Sequence, residues 1–335
     1  MKIQKCQRMA PIRPEVLSLF IWQERKRETL AGYIVRRFFY LIIQVFVLLT
    51  LMFVLFRLVP GDPASLILGG NASQDEVDRL RHAMGLDKSI LLQYVDYLAN
   101  LLRGNLGDSI SYNLPVLQVI SGRIWPTVQL MLVSIIIAIT VGIPAGIISG
   151  LRPRAFSSRS LLLIWIGFLA VPNFWLGLLL VQLFSVELNW LPAIGYGSAL
   201  ALVMPAIAIS ARLIALIARM TRTAMMEVLH EDFIRTAEAK GIPGWKVVIK
   251  HALRPALPPV ITMIGLQAGY LLGGSVVVEN LFSYPGMGQL LLSAQSMRDY
   301  SLMQGITIFF VGSFLVINLF VDLLYGRIDP RIRYD

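Results

Sequence analysis

Three histidines, one cysteine and twenty carboxylates are the side chains from which catalysis or metal binding would be built, and their spacing favours neither. His82, His230 and His251 stand far apart, and His82 has no cysteine or second histidine near it in sequence, so no metal site is expected. The single thiol, Cys6, lies in a polar N-terminal tail and permits neither an internal disulfide framework nor a thiolate cluster. No GxxxxGK[ST] sequence occurs, so no P-loop nucleotide site is expected, and no catalytic, cofactor-binding or metal residue is predicted. What remains is recognition. In DFIRTAEAKGIPG, 232–244, Phe233 and Ala237 continue an apolar stripe from Leu229, while Arg235, Glu238 and Lys240 supply polar groups. Gly241 and Pro243 then break the helix, glycine by admitting unusual dihedrals and proline by removing a donor. The pattern predicts a helix over 224–240 and a second over about 245–253, with Pro255, Pro258 and Pro259 marking the return to apolar sequence. Two short helices around a tight turn form either a knob for a cleft in a soluble partner or an ordinary interfacial hairpin.

A second punctuated stretch is LFSYPGMGQLLLSAQSMRDYS, 281–301, where Pro285, Gly286 and Gly288 provide a turn before a short apolar helix. A piece dipping back into a membrane survives there only with its backbone buried in protein or facing water. These residues are therefore candidates for a pathway wall or for a plain external turn.

The elements around both stretches are membrane spans. The chain is 56% hydrophobic and 15% charged, with a mean hydropathy of +0.68, which places it with all-α integral membrane proteins. Six stretches, near 38–58, 127–150, 161–185, 200–218, 260–281 and 303–325, are long enough to cross a bilayer. The first has no charge in 19 residues, and with some 37 residues before it a signal peptide is not expected. The fourth contains Pro205 and Arg212, the latter near enough to the basic end to snorkel. Lysines and arginines set the orientation: 22 of the 30 fall in 1–37, 151–160, 219–254 and 326–335, which predicts six spans with both termini cytoplasmic. The net charge of +10 therefore reflects membrane orientation, and nucleic acid is not an expected partner.

The expected organisation is a cytoplasmic tail (1–32), a first transmembrane helix (33–58), an outer loop (59–126), a five-helix core (127–325) containing the cytoplasmic loop 219–254, and a tail (326–335). In the outer loop, Ser73 and Glu76 form a capping-box pattern ahead of Val77, Leu80 and Met84, Gly85 ends that helix, and 90–102 reads as a second amphipathic helix.

The 235–260 segment resembles the EAA loop of bacterial ABC importer permeases. Gly241 matches its central glycine and Leu253 its leucine; Arg235, Thr236 and Ala237 occupy the Glu-Ala-Ala positions, Arg254 replaces the usual proline, and Pro255 follows one residue later. DFIRTAEAKG with HALRPALPPV is similar to the version in B-type subunits of dipeptide/oligopeptide/nickel permeases. YIVRRFFYLI, LFRLVPGDPA, MGLDKSILLQYVDYLANLLRGNLGDSI, AVPNFWLGLLL and LFSYPGMGQLLLSA follow in that family's order, so the likeness covers roughly 33–330. The resemblance implies a type I importer permease fold with a cytoplasmic coupling helix, in a bacterial cytoplasmic membrane. It also implies a homologous second permease, two cytoplasmic ATPases that bind ATP and Mg, and an extracytoplasmic binding protein. On that basis Gly241 and Pro243 shape the coupling turn, Phe233 and Ala237 pack on an ATPase, and Arg235, Glu238 and Lys240 add polar contacts. Di- or oligopeptides are the expected substrates; nickel chelates, glutathione, opines and sugars are the family's other cargoes. A secondary transporter is the rival reading, and would need an essential charge deep in the spans. The candidates are few: Gln44, Gln182, Gln267, Asn318 and Arg212, with Glu187, Glu279 and Asp322 toward span ends. A channel or structural subunit would also use the small-residue run VGIPAGIISG, 141–150, to pack helices.

Overall fold

A computed structural model describes residues 30–58, 65, 73–83 and 85–328; the tail with Cys6, the PGDP turn at 60–63 and the residues beyond 328 lie outside them. In chain order the helices are α1 (Leu30–Leu58), α2 (Gln74–Ala83), α3 (Ile90–Leu102), α4 (Val116–Leu151), α5 (Phe156–Ala170), α6 (Asn173–Leu180), α7 (Ala199–Val228), α8 (Asp232–Ala239), α9 (Gly244–Lys246), α10 (Leu253–Leu281), α11 (Met287–Ser296) and α12 (Tyr300–Ile328). π-helical turns extend α6 through Glu187 and join α9 to α10. The only strands among the described residues, β1 (Asp108–Ser109) and β2 (Leu114–Pro115), pair antiparallel with Ser109 opposite Leu114.

Five of these helices, α1, α4, α7, α10 and α12, are long and apolar enough to cross a membrane. The third predicted span, 161–185, is not straight: α5 and α6 meet at 106°. Val171, the residue before Pro172, is extended (φ −83°, ψ 126°), because the proline ring disfavours helical geometry in its predecessor. That signal was in the sequence, in AVPN. The predicted 224–240 helix is also divided, since α7 stops at Val228 and α8 starts at Asp232.

The core forms around α7. Two-thirds of its most apolar window (67%) is buried, against 11% for α1 and α12. Its main neighbour is α4, which runs parallel to it. Gly142, Gly146 and Gly150 of α4 lie against Ile217, Thr221 and Met225 of α7, and a Cβ on Gly146 would stand 2.7 Å from the Ala218 carbonyl oxygen. Missing side chains at every fourth residue let the backbones approach, the small-residue device of helices that pack in lipid.

Outside this bundle, α2 begins with the predicted capping box: Ser73 N–H donates to Glu76 Oε2 (3.0 Å) and Glu76 N–H to Ser73 Oγ (3.4 Å). α3 rests on α1 through a 2.6 Å Thr50–Tyr94 hydroxyl contact and the Phe53–Tyr94 ring pair. Buried Asp299 fastens the hairpin to α12, accepting from Ser109 Oγ (2.6 Å), Ser111 N–H (3.0 Å) and Leu302 N–H (3.0 Å).

Candidate functional site

The knob is built from α8, its turn and α9. α8 ends in a Schellman motif: Gly241 N–H donates to the Glu238 carbonyl (2.8 Å) and Ile242 N–H to that of Ala237 (3.3 Å). The motif requires a left-handed residue, and Gly241 has φ +72°. Pro243 then opens α9, its carbonyl accepting from Lys246 and Val247 N–H groups (2.8 and 3.1 Å). Beneath the turn, Ile234, Ala237, Val247, Ala252 and Ala256 form one cluster with Ala224 and Met225 of α7. The buried stripe of α8 is thus Ile234 and Ala237, not Phe233 and Ala237. Ala237 is 5% exposed against its own chain, which corrects the expectation that it faces an ATPase: a side chain enclosed here has no area left for a partner. Phe233 (46% exposed), Trp245 (64%) and Ile249 (58%) point outward instead. Arg235, Glu238, Lys240, Gly241 and Pro243 are exposed around them.

The outer turn is built on a carboxylate that sequence reading placed merely near a span end. Glu279 is fully buried. Its Oε1 accepts from Thr127 Oγ1 (2.9 Å), and its Oε2 from the N–H groups of Gly288 (2.7 Å) and Gln289 (3.3 Å) at the start of α11. Thr127 Oγ1 in turn accepts from Met287 N–H (2.8 Å), so α4 and α10 together cap α11. Glu279 fills the space of a Cβ at Gly286, and the Val276 backbone with Glu279 fills it at Gly288. With Pro285 these glycines form a packed cap and line neither of the two cavities described below. Below the cap, burial pushes the Tyr284 phenol above its ordinary range.

The cavities lie elsewhere. One, about 580 Å³, opens among α1, α3 and α12, where Arg57, Tyr97 and Gln304 join the Lys88–Asp96 ion pair (2.7 Å). The other, about 530 Å³, is lined by Asn173, Arg212, Leu216, Gln267, Tyr270 and Gly274, among others. Gln267 and Arg212 were noted in the sequence only as sparse interior polar groups; nothing local shows that they share a cavity.

The site is thus an exposed knob tied into the most buried helix of a multi-span helical core. The chain belongs to the family described as "Binding-protein-dependent transport system inner membrane component", matched over residues 142–334, with that system's N-terminal component matched over 30–132. It is 41% identical over 303 residues to the glutathione transport system permease protein GsiC of Escherichia coli (strain K12), covering 90% of this chain and 99% of that protein. GsiC of Pectobacterium atrosepticum is 42% identical over the same coverage. A chain of the MetNI methionine ABC transporter, inward facing, has the same fold (TM-score 0.55, 20% identity, 63% of this chain and 97% of that one). The protein is therefore an ABC importer permease subunit related to GsiC.

Proposed function

We propose that this subunit forms, with a homologous second permease, the pathway by which short peptides, glutathione among them, enter the cell across the bacterial inner membrane. It spans six times with both termini cytoplasmic, the bent α5–α6 pair supplying the third crossing. A binding protein delivers cargo to the outer face, and two ATPases, holding ATP and Mg, receive the knob. One observation carries this reading: the exposed apolar groups Phe233, Trp245 and Ile249 stand on a turn whose underside is continuous with α7 and α10. A push on the knob is then transmitted to the pathway helices, because a packed cluster transmits strain. Phe233 is the apolar anchor, Arg235, Glu238 and Lys240 form the polar rim, and Gly241 and Pro243 set the turn. Peptide cargo is supported by the GsiC relatives.

The test is uptake by the co-purified complex in proteoliposomes, with labelled glutathione and dipeptides, with and without ATP and the binding protein. Uptake needing both additions is the expected result. Uptake that ignores ATP and follows an imposed ion gradient would mean a secondary transporter. ATPases that still co-purify after residues 231–244 are scrambled would remove the knob from the mechanism.

A further inference from the structure

α7 is the most enclosed long helix, and the inner half of the face it leaves open carries polar side chains. Arg212, Arg219 and Thr223 are exposed, with Leu216 half-buried between them. The spacing 212, 216, 219, 223 is a single helical stripe.

α4 supplies a depth scale for that stripe. Its Gly150 lies level with Met225 of α7, and its apolar run ends at Leu151, where Arg152 follows. The Met225 level therefore marks the inner edge of the hydrocarbon. Arg219 is within two turns of that edge and can snorkel. Arg212 is roughly 20 Å from Met225 at 1.5 Å per residue, which puts it inside a hydrocarbon core about 30 Å thick, past its middle toward the outer side. An arginine facing lipid at that depth is strongly unfavourable, so the stripe faces water or protein.

The 530 Å³ cavity is what Arg212 faces. That size falls within the range of about 300–1,000 Å³ seen for small-molecule sites. Asn173 reaches it because the chain breaks at Pro172; Gln267, Tyr270 and Gly274 come from α10. The side chain of Arg212 has neither an ion pair nor a hydrogen bond among the described residues. Gln267 Nε2 makes one weak contact, 3.8 Å to Met263 Sδ. No carboxylate lines the cavity. Glu279, on the same helix as Gln267, lies about 7.5 Å beyond Gly274 at 1.5 Å per residue and is occupied by the α11 cap. A single unneutralised guanidinium with two amides beside it is complementary to an anion, and a planar carboxylate fits the guanidinium fork.

We propose that Arg212 is a specificity-determining residue of the translocation pathway, its guanidinium receiving the carboxylate of a peptide-class substrate in transit while Asn173 and Gln267 orient it. This rests on the peptide-importer reading above. The complete complex in proteoliposomes, with ATP and binding protein, tests it with one dipeptide as free acid and as C-terminal amide. Each uptake rate is taken as the ratio of Arg212→Gln to wild type, so the binding protein's own preference cancels. The expected result is a fall of about tenfold or more for the acid and less than about twofold for the amide, with Arg212→Lys recovering part of the loss. An equal fall for both peptides, or none for the acid, overturns the proposal. So does loss of the second permease from the Arg212→Gln complex, which would make Arg212 an interface residue. A second measurement does not depend on transport. In a Cys6→Ser background, Arg212→Cys should react with a charged, membrane-impermeant methanethiosulfonate in at least one nucleotide state, and peptide-loaded binding protein should slow the reaction. No labelling in any state overturns the inference even where peptide uptake proceeds. A wild-type complex that imports no peptide, with the thiol still labelled, withdraws the peptide reading and leaves the pathway position of Arg212 supported.

Discussion

Glu279 shows how one side chain orders several elements. Glu279→Gln keeps one acceptor for the Gly288 and Gln289 N–H groups and turns its –NH₂ toward Thr127 Oγ1, whose own hydroxyl donor then loses its acceptor. Leaving such buried donors unpaired costs about 1–3 kcal/mol, and a lower unfolding temperature of the purified subunit is the expected outcome. Thr127→Val should cost a similar amount, and the double variant less than the sum, because Thr127 and Glu279 share one network. Glu76 gives a pH-dependent counterpart on the outer side. Hydrogen bonds from the Ser73 backbone and hydroxyl hold its carboxyl below the ordinary value of 4.5. A depressed folded-state value means the cap's contribution is present above about pH 4.5 and is lost as pH falls through the lower, folded-state value. Weaker protection of the α2 amides below that pH, measured against the intrinsic exchange rate and absent in Glu76→Gln, is the expected observation.

Among elements, the α4–α7 contact tolerates little added volume. A Cβ on Gly146 would lie 2.5 Å from Thr221 Cβ, whereas one on Gly122 of the same helix meets nothing within 4 Å. Gly146→Val should destabilise by about 1–3 kcal/mol or more, while Gly122→Ala leaves thermal stability unchanged in the same detergent. The knob depends on its turn in a different way. Gly241 meets no neighbour but has φ +72°, so Gly241→Ala costs roughly 1–2 kcal/mol through the backbone alone. The local character of these elements explains why much of them was readable in the sequence. The α8 turn, the α2 cap and the 90–102 helix each rest on contacts within a few residues. The stripe of α8 was misassigned because the break at Leu229–Glu231 resets the helical phase, which no periodicity count across it can register.

For the molecule as a whole, the knob should separate docking from folding. Phe233→Asp places a charge on an exposed apolar anchor and leaves the cluster beneath untouched. Loss of an anchor worth about 2 kcal/mol weakens ATPase retention roughly 30-fold, and the permease should keep its own thermal stability. Ala237→Leu is the converse: overpacking of the cluster should lower thermal stability first, with retention falling as a consequence. Retention unchanged in Phe233→Asp would remove that residue from the interface.

The sequence by itself determined the helical, membrane-spanning class, the two turns and the family, since apolar runs, proline, glycine and caps act on the chain locally and carry into lipid unchanged. It also held the Pro172 signal for the broken third span. Tertiary structure alone decided which groups meet. Thr127 and Glu279 are 152 residues apart, and Asn173, Arg212 and Gln267 belong to three different helices. The reason is physical: a helix period states which residues share a face, but which face stays open, and at what depth, follows only when the neighbouring helices have packed.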